Sequence, residues 1–424
     1  MGENILSKSV ALITENALCT ACGGCAGICP VHAIIMEQNA AGFVIPQIDE
    51  DKCLNCSKCL KICPSNGERL GKDFIGKTIN GYLGYATDTE LRMKSQSGGI
   101  VTALLRYFIE NDIIDAAIVT RFNCSSRRSE SFLATTVDEI NSAKGSHYTQ
   151  TSPVELILQN QDKRLAAVLL GCQTSCLNLI SEKYKNIKLP IITIGLICGG
   201  NLSGLMVDEL LKQGKLQKNE QLKSFRFRDK EHGGWPGNIM IQTDRLIQLP
   251  KEKRMELKQY YQNYRCLLCA EKMNQNCDLV VGDPWGIPIV DEEQGYSAVI
   301  TRTERGEKAL QEAKAAGYLY LQDEKIEKII SGQKIETDLA KRHKITQAIS
   351  MYQSWRYPYI LGECKEFDKS SEADLLILKK MQYTRKLQLS KTINEAINII
   401  NLKKKEECHP LKEWLYSIKE RIFG

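Results

Sequence analysis

The sequence lacks long hydrophobic runs, and this absence excludes several classes of protein. No apolar stretch reaches the roughly 18 residues that a membrane-spanning helix requires, so no membrane span is predicted. The longest apolar stretch, residues 189–198, instead has the length of a buried strand. Residues 1–18 also lack an apolar segment behind a basic start, so we expect no signal peptide and a cytoplasmic protein.

The chain also lacks a strong excess of charge of either sign. It has 57 Lys and Arg residues against 51 Asp and Glu residues, a net charge of +6. This mild basicity does not require nucleic acid as a partner, and none is predicted. The G-x-G-x-x-G motif is missing, so we do not expect an ordinary Rossmann site for a nicotinamide cofactor. With 424 residues, 43% of them apolar, two or three domains with sizeable cores are expected.

A phosphate-binding string occurs once, but its surroundings do not suit it. Residues 71–78 match the pattern G-x4-G-K-T. A P-loop requires a buried strand before this string and a helix after it. Polar residues 65–69 precede it here, and glycine-rich residues 79–84 follow it. We therefore interpret residues 67–80 as a linker and expect no nucleotide hydrolysis.

Cysteine, by contrast, is abundant, and eight of the 17 cysteines form two copies of one pattern. Both copies read C-x2-C-x2-C-x3-C-P, and they comprise Cys19, Cys22, Cys25, Cys29, Cys53, Cys56, Cys59 and Cys63. This run holds [4Fe-4S] clusters in bacterial two-cluster ferredoxins, in which the fourth cysteine of each run binds the other cluster. We predict two clusters, with Cys63 completing the first ligand set and Cys29 completing the second.

Zinc and disulfides are the alternatives for these eight cysteines. Structural zinc sites use four ligands, usually in two C-x2-4-C pairs, and two runs of four exceed that number. Disulfides require an oxidising compartment, which the expected cytoplasmic location does not provide. The segment from about residue 10 to residue 66 resembles a bacterial-type ferredoxin, with a short hairpin around residues 40–42.

The pattern changes after residue 80 to alternating strands and helices. Apolar runs predict buried strands at 113–119, 165–170, 191–197, 278–281 and 297–301, and helical periodicity predicts helices at 100–110, 154–159 and 202–212. This alternation is typical of an α/β fold with buried strands. From about residue 350 the chain reads as helical and basic, with helical spacing at 375–381 and 393–400.

Three polar segments of this region are candidates for binding a cofactor. Ser97, Gly98 and Gly99 directly precede the predicted helix at 100–110, where free N–H groups attract phosphates, although a plain N-cap is the alternative. Residues 144–148 comprise Lys144, Gly145, Ser146, His147 and Tyr148, which suit either the flank of a flat phosphate-bearing cofactor or an ordinary loop. Asp283 follows a predicted strand and suits either ligand orientation or turn capping.

Further cysteines recur near the ends of predicted strands. Cys172 and Cys176 follow one strand, Cys198 ends another, and Cys266 and Cys269 form a C-x2-C pair. Their spacing alone leaves a third metal cluster and ordinary buried free cysteines as open alternatives.

Taken together, residues 80–345 resemble the family of coenzyme F420 hydrogenase/dehydrogenase beta subunits. The resemblance rests on residues 95–99, residues 144–148, Cys172-Gln173, Cys198-Gly199-Gly200, Phe227-Arg228-Asp229-Lys230, Gly234-Trp235, the pair Cys266 and Cys269, and Gly282-Asp283-Pro284-Trp285. It implies FAD, with a third [4Fe-4S] cluster held by Cys198, Cys266, Cys269 and either Cys172 or Cys176. Cys172 is preferred, because Leu177 then keeps the family's register after Cys-Gln. The family usually has a proline before this cysteine, and this chain has Gly171 instead.

The resemblance implies an oxidoreductase that passes electrons between [4Fe-4S] clusters and FAD and exchanges hydride with coenzyme F420. The alternatives are a ferredoxin-dependent reductase of another small organic substrate and a non-catalytic electron-relay subunit. Implied partners are coenzyme F420 or another small redox substrate, and a ferredoxin or another redox partner subunit. No catalytic acid or base is identified in the sequence.

The expected architecture is an α+β ferredoxin-like N-terminal domain, then an α/β flavin-binding region and a helical C-terminal tail. The expected divisions are a two-cluster ferredoxin domain at 1–66, a linker at 67–80, the two parts of the beta-subunit-like region at 81–185 and 186–345, and a helical basic tail at 346–424.

Overall fold

A computed structural model describes residues 9–66, 74–217, 219–341 and 371–408. The described residues form thirteen strands: β1 (Ile34–Gln38), β2 (Val44–Ile48), β3 (Gly81–Ala86), β4 (Ala116–Asn123), β5 (Arg128–Ala134), β6 (Leu165–Leu169), β7 (Ile192–Leu196), β8 (Ser224–Asp229), β9 (Asn238–Gln242), β10 (Leu246–Leu249), β11 (Leu279–Gly282), β12 (Ser297–Thr301) and β13 (Leu319–Asp323). Half of the predicted linker, residues 67–73, and two parts of the predicted tail, residues 346–370 and 409–424, lie outside the described residues.

Residues 335–341 are helical, and fifteen further helices have both ends within the described residues. They are α1 (Ala11–Glu15), α2 (Gly24–Ile28), α3 (Lys58–Lys61), α4 (Thr89–Lys94), α5 (Ile100–Glu110), α6 (Val137–Ser142), α7 (Pro153–Gln159), α8 (Gly171–Lys183), α9 (Leu205–Gln213), α10 (Lys251–Tyr261), α11 (Tyr264–Leu267), α12 (Glu304–Ala315), α13 (Ile326–Gly332), α14 (Glu372–Gln388) and α15 (Ile393–Cys408). None of the helices described is both long and apolar enough to cross a membrane.

A mixed sheet forms the centre of the fold, and its strand order is β13-β3-β12-β11-β7-β6-β4-β5. The four strands β11, β7, β6 and β4 are parallel, and the strands on either side are antiparallel. Their apolar residues are buried, as in Ala116–Ile118 of β4. Strands buried on both faces read as continuous apolar runs, and this is why the sequence revealed them. The carboxyl ends of the four parallel strands meet at one edge.

The structure confirms the predicted strands and helices, and the largest shifts of their boundaries are in β4 and α9. Strand β4 extends to Asn123, beyond the predicted residue 119. Strand β4 begins at Ala116 rather than at residue 113, because Asp112 has a left-handed backbone and places Ile113 and Ile114 in a turn. Helix α9 begins at Leu205 rather than at residue 202, because Leu202 forms bridges with Thr149 and Gln262. Helix α5 matches its predicted bounds and buries Ile100, Leu104 and Phe108 against the sheet.

The N-terminal cysteine segment packs against two parts of the rest of the chain. Its hairpin β1–β2 is antiparallel, with Ile34 opposite Ile48, and Phe43 joins a core formed with the small sheet β10-β9-β8. Helix α2 contacts α7 and also α8, which follows strand β6 of the large sheet. The cysteine segment therefore lies directly against the elements that carry the later cysteines.

The C-terminal helices close the small-sheet core. Leu387 of α14 and Ala396 and Ile400 of α15 are buried beside Phe225 and Ile241. The predicted helical segments 375–381 and 393–400 fall inside these two helices, which confirms them as helical. Their apolar residues are used for packing.

Candidate functional site

The first cysteine set surrounds a small buried cavity. Cys19, Cys22, Cys25 and Cys63 line a space of about 20 Å³ beneath the hairpin, and Ala21 donates its backbone N–H to Cys19 Sγ at 3.3 Å. Burial raises the pKa of the Cys19 thiol to about 12. Burial also raises the pKa of Cys25, and the neighbouring sulfurs Cys22, Cys19 and Cys63 raise it further. Four thiols so placed ionise together only if a cation compensates their charge.

The second cysteine set lies nearer the surface. Burial raises the pKa of Cys59, and Cys56 and Cys53 add to this rise, which shows that the three sulfurs are neighbours. Cys29 packs with Cys59 in the same apolar cluster, and the N–H of Ala33 lies 3.3 Å from Cys29 Sγ. Cys56 is exposed, and the adjacent Leu54 is 64% exposed.

A third set of cysteines forms at the carboxyl edge of the large sheet. Cys172 opens α8, Cys198 follows β7, and Cys266 and Cys269 flank the end of α11. Burial raises the pKa of Cys172, and Cys269, Glu271, Cys198 and Cys266 raise it further, so the four sulfurs lie together.

Backbone N–H groups point at three of these four sulfurs. Gly200 donates to Cys198 Sγ at 3.3 Å, Asn201 donates to Cys266 Sγ at 3.3 Å, and Glu271 donates to Cys269 Sγ at 3.4 Å. Gly200 adopts a φ of 111°, a conformation that favours glycine and allows this turn over the sulfur. Hydrogen bonds of this kind stabilise thiolates and tune the potential of an iron–sulfur cluster.

Cys176 does not join the third set. It lies one turn after Cys172 on α8, and its sulfur contacts Cys22 and the backbone of Gly24 in the N-terminal segment. A β-carbon on Gly24 would overlap the Cys176 sulfur, so only glycine permits the contact. Among the described residues, no three His, Cys, Asp or Glu side chains converge on one position suited to a single metal ion.

A cavity of about 250 Å³ opens where the parallel strands end. It is bounded by Thr120 in β4, just past the residues that pair with β6, by Leu169 at the end of β6, by Cys198 after β7 and by Gly282 at the end of β11. Of the candidate cofactor-binding residues, those that line it are Ser97, Gly99, Gly145, Ser146, Tyr148 and Asp283. Ligands of α/β sheets bind at this edge.

Gly98 and Lys144 lie outside the lining of this cavity. Gly98 donates its N–H to Ser297 Oγ at 3.0 Å, and a β-carbon there would overlap the carbonyl oxygen of Gly84. Gly98 therefore serves the close packing of the loop on β3. Lys144 is half-buried, and burial followed by the nearby Lys94 lowers its pKa.

His147 is a half-buried residue of the cavity whose ring nitrogens are buried, and it carries no charge at neutral pH. Its ring lines the cavity between Ser146 and Tyr148. Burial lowers the pKa of His147 to about 4, although the carbonyl of Ala143 opposes this effect. A neutral imidazole beside the cavity offers one donor and one acceptor.

An ion pair spans the wall that this cavity shares with a larger one. Arg228 Nη1 lies 2.7 Å from Asp283 Oδ2, and Asp283 also accepts hydrogen bonds from Ser97 Oγ and Trp235 Nε1. Burial alone would raise the pKa of Asp283, but Arg228 and the two hydrogen bonds hold it below its ordinary value. Burial alone would lower the pKa of Arg228, and the carboxylate raises it.

Lys230 fixes the loop that begins α5. Its ammonium donates to the carbonyl of Arg92 at 2.7 Å and to the carbonyls of Ser97 and Gln294. Burial, with Arg92 and Arg228 nearby, lowers the pKa of Lys230 to about 7. Three carbonyl acceptors nevertheless match the three donors of the charged form, so we take Lys230 as an ammonium that holds the loop.

The larger cavity has a volume of about 1020 Å³, and sequence reasoning missed several of its residues. Arg254, Lys258 and Lys272 line it together with Trp285. Arg254 and Lys258 are four residues apart on α10, a spacing that places both on one helix face and could have revealed them. Lys258 donates to the carbonyl of Gly199 at 2.9 Å, beside the third cysteine set. This cavity therefore combines cations with an aromatic wall.

Two family models match the part of the chain that forms the large sheet. The model described as "Coenzyme F420 hydrogenase/dehydrogenase, beta subunit N-term" matches residues 81–159, and the corresponding C-terminus model matches residues 162–327. The chain belongs to this family. A model described as "4Fe-4S dicluster domain" matches residues 18–66, which supports iron–sulfur clusters in the N-terminal segment.

Individual members of the family align over much of the chain. A subunit of F(420)H(2) dehydrogenase from Methanosarcina mazei is 24% identical over 72% of this chain and 84% of that protein. The beta subunit of coenzyme F420 hydrogenase from Methanothermobacter thermautotrophicus is 27% identical over 55% of this chain and 80% of its own length. The coenzyme F420-dependent sulfite reductase from Methanocaldococcus jannaschii is 23% identical, and the alignment spans 54% of that enzyme.

The fold also resembles a solved structure. A chain of the F420-reducing [NiFe] hydrogenase complex from Methanosarcina barkeri superposes with a TM-score of 0.54 and 19% identity. The match covers 67% of this chain and 96% of that one. This likeness supports the mixed α/β fold described above.

Proposed function

We propose that this family member is an iron–sulfur flavoprotein oxidoreductase that passes electrons between [4Fe-4S] clusters and FAD and exchanges hydride with coenzyme F420. One observation carries the proposal: Cys198 belongs to the third cysteine set and also lines the cavity at the carboxyl ends of the parallel strands. A redox cofactor in that cavity would thus share a wall with a cluster site.

The residues around the smaller cavity fit a flavin with a diphosphate. Helix α5 has no side-chain cap at Gly99, so its first N–H groups are free to bind an anion, and Ile100 and Val101 line the cavity. A β-carbon on Gly145 would meet no atom within 4 Å, which leaves space above that loop. We assign the diphosphate to Ser97, Gly99 and the start of α5, and the flank of the ring to residues 145–148.

FAD, when bound, supplies the exchange between two-electron hydride transfer and one-electron transfer. The protein then has to bind, orient and shield the reacting groups. Arg228 and Asp283 line both cavities, and Trp285 lines one side of the larger cavity. Apolar strand residues such as Val168 and Val281 line the smaller cavity and exclude water from it.

The three cysteine sets fit a route from the cavity to the surface. We assign the third cluster to Cys172, Cys198, Cys266 and Cys269, the first to Cys19, Cys22, Cys25 and Cys63, and the second to Cys53, Cys56, Cys59 and Cys29. The third set adjoins the cavity, the first lies under α8, and the second reaches the surface at Cys56. Electrons would enter or leave the protein at that surface.

The larger cavity suits an anionic substrate with a flat ring. Arg254 and Lys258 supply positive charge, and Trp285 supplies an aromatic surface. Lys272 in the same wall is paired with Asp338, with 2.7 Å between Nζ and Oδ2. The names of three aligned relatives include coenzyme F420, a deazaflavin hydride carrier, which makes it the leading substrate.

The exposure of Cys56 in the second cysteine set favours a second candidate function. Leu54 and Cys56 offer an apolar surface for a ferredoxin or a redox partner subunit. The protein would then be a ferredoxin-dependent reductase of another small substrate, or an electron-relay subunit.

An anaerobic spectrum of the purified protein, before and after addition of reduced coenzyme F420, separates these functions. We expect flavin and cluster absorbance to bleach together. Bleaching only with reduced ferredoxin would favour the second candidate, and cluster iron without flavin would contradict the proposal.

A further inference from the structure

Cys176 is a fully buried thiol that the three ligand sets do not use. Its exposure is 0%, and it lines the first cavity together with Cys22, Cys25 and Cys63. It is the second cysteine of α8, and Cys172, which precedes it by four residues, belongs to the third set. One helix therefore contacts two cysteine sets.

The chemistry of the first set determines which of the two sulfurs, Cys176 or Cys22, donates a hydrogen bond to the other. A sulfur that binds iron must be a thiolate, which can only accept a hydrogen bond. Cys176, as a thiol, keeps one weak S–H donor, and Cys22 lines the same cavity of about 20 Å³ and belongs to the same apolar cluster. The apolar side chains Ile62 and Val154 surround the same contact at Gly24 and exclude water as a competing donor.

We propose that Cys176 is a positioning residue that donates its S–H to the Cys22 thiolate and raises the reduction potential of the first cluster. Reduction adds negative charge to a cluster, and a hydrogen bond to a ligand sulfur stabilises that charge. This inference rests on the cluster assignments of the proposed function. It does not depend on the flavin or on the substrate.

The backbone of α8 extends this role to the third set. Four residues of α-helix rise by about 6 Å, so Cys172 and Cys176 project from adjacent turns of one face. A β-carbon on Gly171 would overlap the carbonyl oxygen of Glu271, which shows that the start of α8 is packed tightly beside Cys269. The contact at Gly24 fixes the next turn against the N-terminal segment. Helix α8 thus holds the first and third sets in a fixed relation.

The test compares Cys176→Ala and Cys176→Ser with Cys277→Ala in the full chain, purified and reconstituted anaerobically. Cys277 is a matched control, because it is buried and bonds the carbonyl of Asn274 rather than a ligand sulfur. Iron and sulfide are counted first. Each cluster is then titrated by electron paramagnetic resonance at controlled potential, and Cys25→Ser and Cys56→Ser identify the signals of the first and second clusters.

We expect all three variants to keep the iron content of the parent protein. In Cys176→Ala the ratio of reduced to oxidised first cluster should fall about three- to tenfold at a fixed potential, where tenfold corresponds to 59 mV for one electron. Cys176→Ser retains a donor and should restore most of the difference, and Cys277→Ala should change nothing.

Two results would overturn the inference. An unchanged reduction potential of the first cluster in Cys176→Ala would show that the hydrogen bond does not affect this potential. Loss of about four irons would show that Cys176 is a cluster ligand. If Cys176→Ala does not fold, Cys176→Val takes its place, because valine fills a similar volume and has no donor. Absence of flavin with a shifted potential would contradict the flavin assignment alone, whereas absence of all clusters would contradict both.

Discussion

Arg228 and Asp283 form a buried ion pair, with 2.7 Å between Arg228 Nη1 and Asp283 Oδ2, in the wall between two cavities. The side chains are 3% and 13% exposed. Ser97 and Trp235 complete the surroundings of the carboxylate, so one side chain connects the start of α5, strand β8 and the end of β11. The pair therefore links the geometry of both cavities.

The first prediction concerns removal of this carboxylate. Asp283→Asn leaves the Arg228 charge buried without its partner, and such a loss destabilises proteins by about 3–5 kcal/mol. We expect a clear fall in the free energy of unfolding, with a reduced flavin content in the purified protein. Denaturant unfolding and flavin release measure the two effects.

The exposed pair of Asp115 and Arg164 provides a matched control for this substitution. Its side chains are 41% and 53% exposed. Because solvent screens such pairs, Asp115→Asn should lower the free energy of unfolding far less than Asp283→Asn does and leave flavin content unchanged. Equal effects of the two substitutions would show that the buried pair has no special role.

The second prediction concerns the third cysteine set. Cys266→Ser removes one of its four sulfurs, and we expect the iron content to fall by about a third, since one cluster of three is lost. Iron and sulfide analysis after anaerobic reconstitution measures this change. Cys277→Ser, which alters a buried cysteine outside the sets, should retain full iron. An undiminished iron content in Cys266→Ser would contradict the third cluster.

The third prediction concerns the cations of the larger cavity. Arg254→Gln removes one positive charge, and the KM for reduced coenzyme F420 should rise about tenfold with little change in kcat, because uniform binding is lost. Lys251→Gln changes the same charge on an exposed part of α10 and should have no such effect. Steady-state kinetics at two ionic strengths compare these two variants. Equal KM values for Arg254→Gln and Lys251→Gln would show that the larger cavity does not bind the coenzyme.

The fourth prediction concerns pH. His147 has a pKa of about 4 in the folded protein, below the ordinary value of 6.5. The unfolded chain then binds more protons between these pH values, so stability is full above pH 6.5 and falls as the pH decreases toward 4. The two pKa values correspond to a loss of about 3 kcal/mol.

The His147→Gln variant tests this pH dependence. Glutamine does not titrate, so the apparent melting temperature of the variant should decline less than that of the parent protein as the pH falls from about 6.5 to about 4.5. Both proteins are measured across the same pH series, which cancels the contribution of the carboxylates. Parallel curves would show that His147 is not the buried titrating group.

Local patterns explain how much of the fold was predictable. Helix α5 was placed correctly because its apolar residues recur at helical spacing after a serine and glycine turn. Strands β6, β7, β11 and β12 are buried on both faces, and their continuous apolar runs identified them. The order of the strands was not readable, because pairing joins residues that are far apart in sequence, as in β12 and β3.

The site was predictable only where its chemistry lies in a short segment. Ser97, Gly145 and Asp283 were selected from their own turns, and the fold brings all three to one cavity. Gly98 and Lys144 belong to the same turns but face other neighbours, because the direction of each side chain depends on packing. Arg254 and Lys258 were missed, since a charged helix face usually points to solvent.

The sequence by itself determined the two N-terminal cysteine runs, the elements of the sheet and the family resemblance, because each depends on spacing within a few residues. Only the tertiary structure decided which of Cys172 and Cys176 lies with the third set. They are four residues apart on one helix, and spacing permits either to join the third set. The packing of α8 places Cys172 with Cys198 and Cys266, and Cys176 against Gly24 and Cys22. Such contacts between distant segments arise when the chain folds, and no local pattern records them.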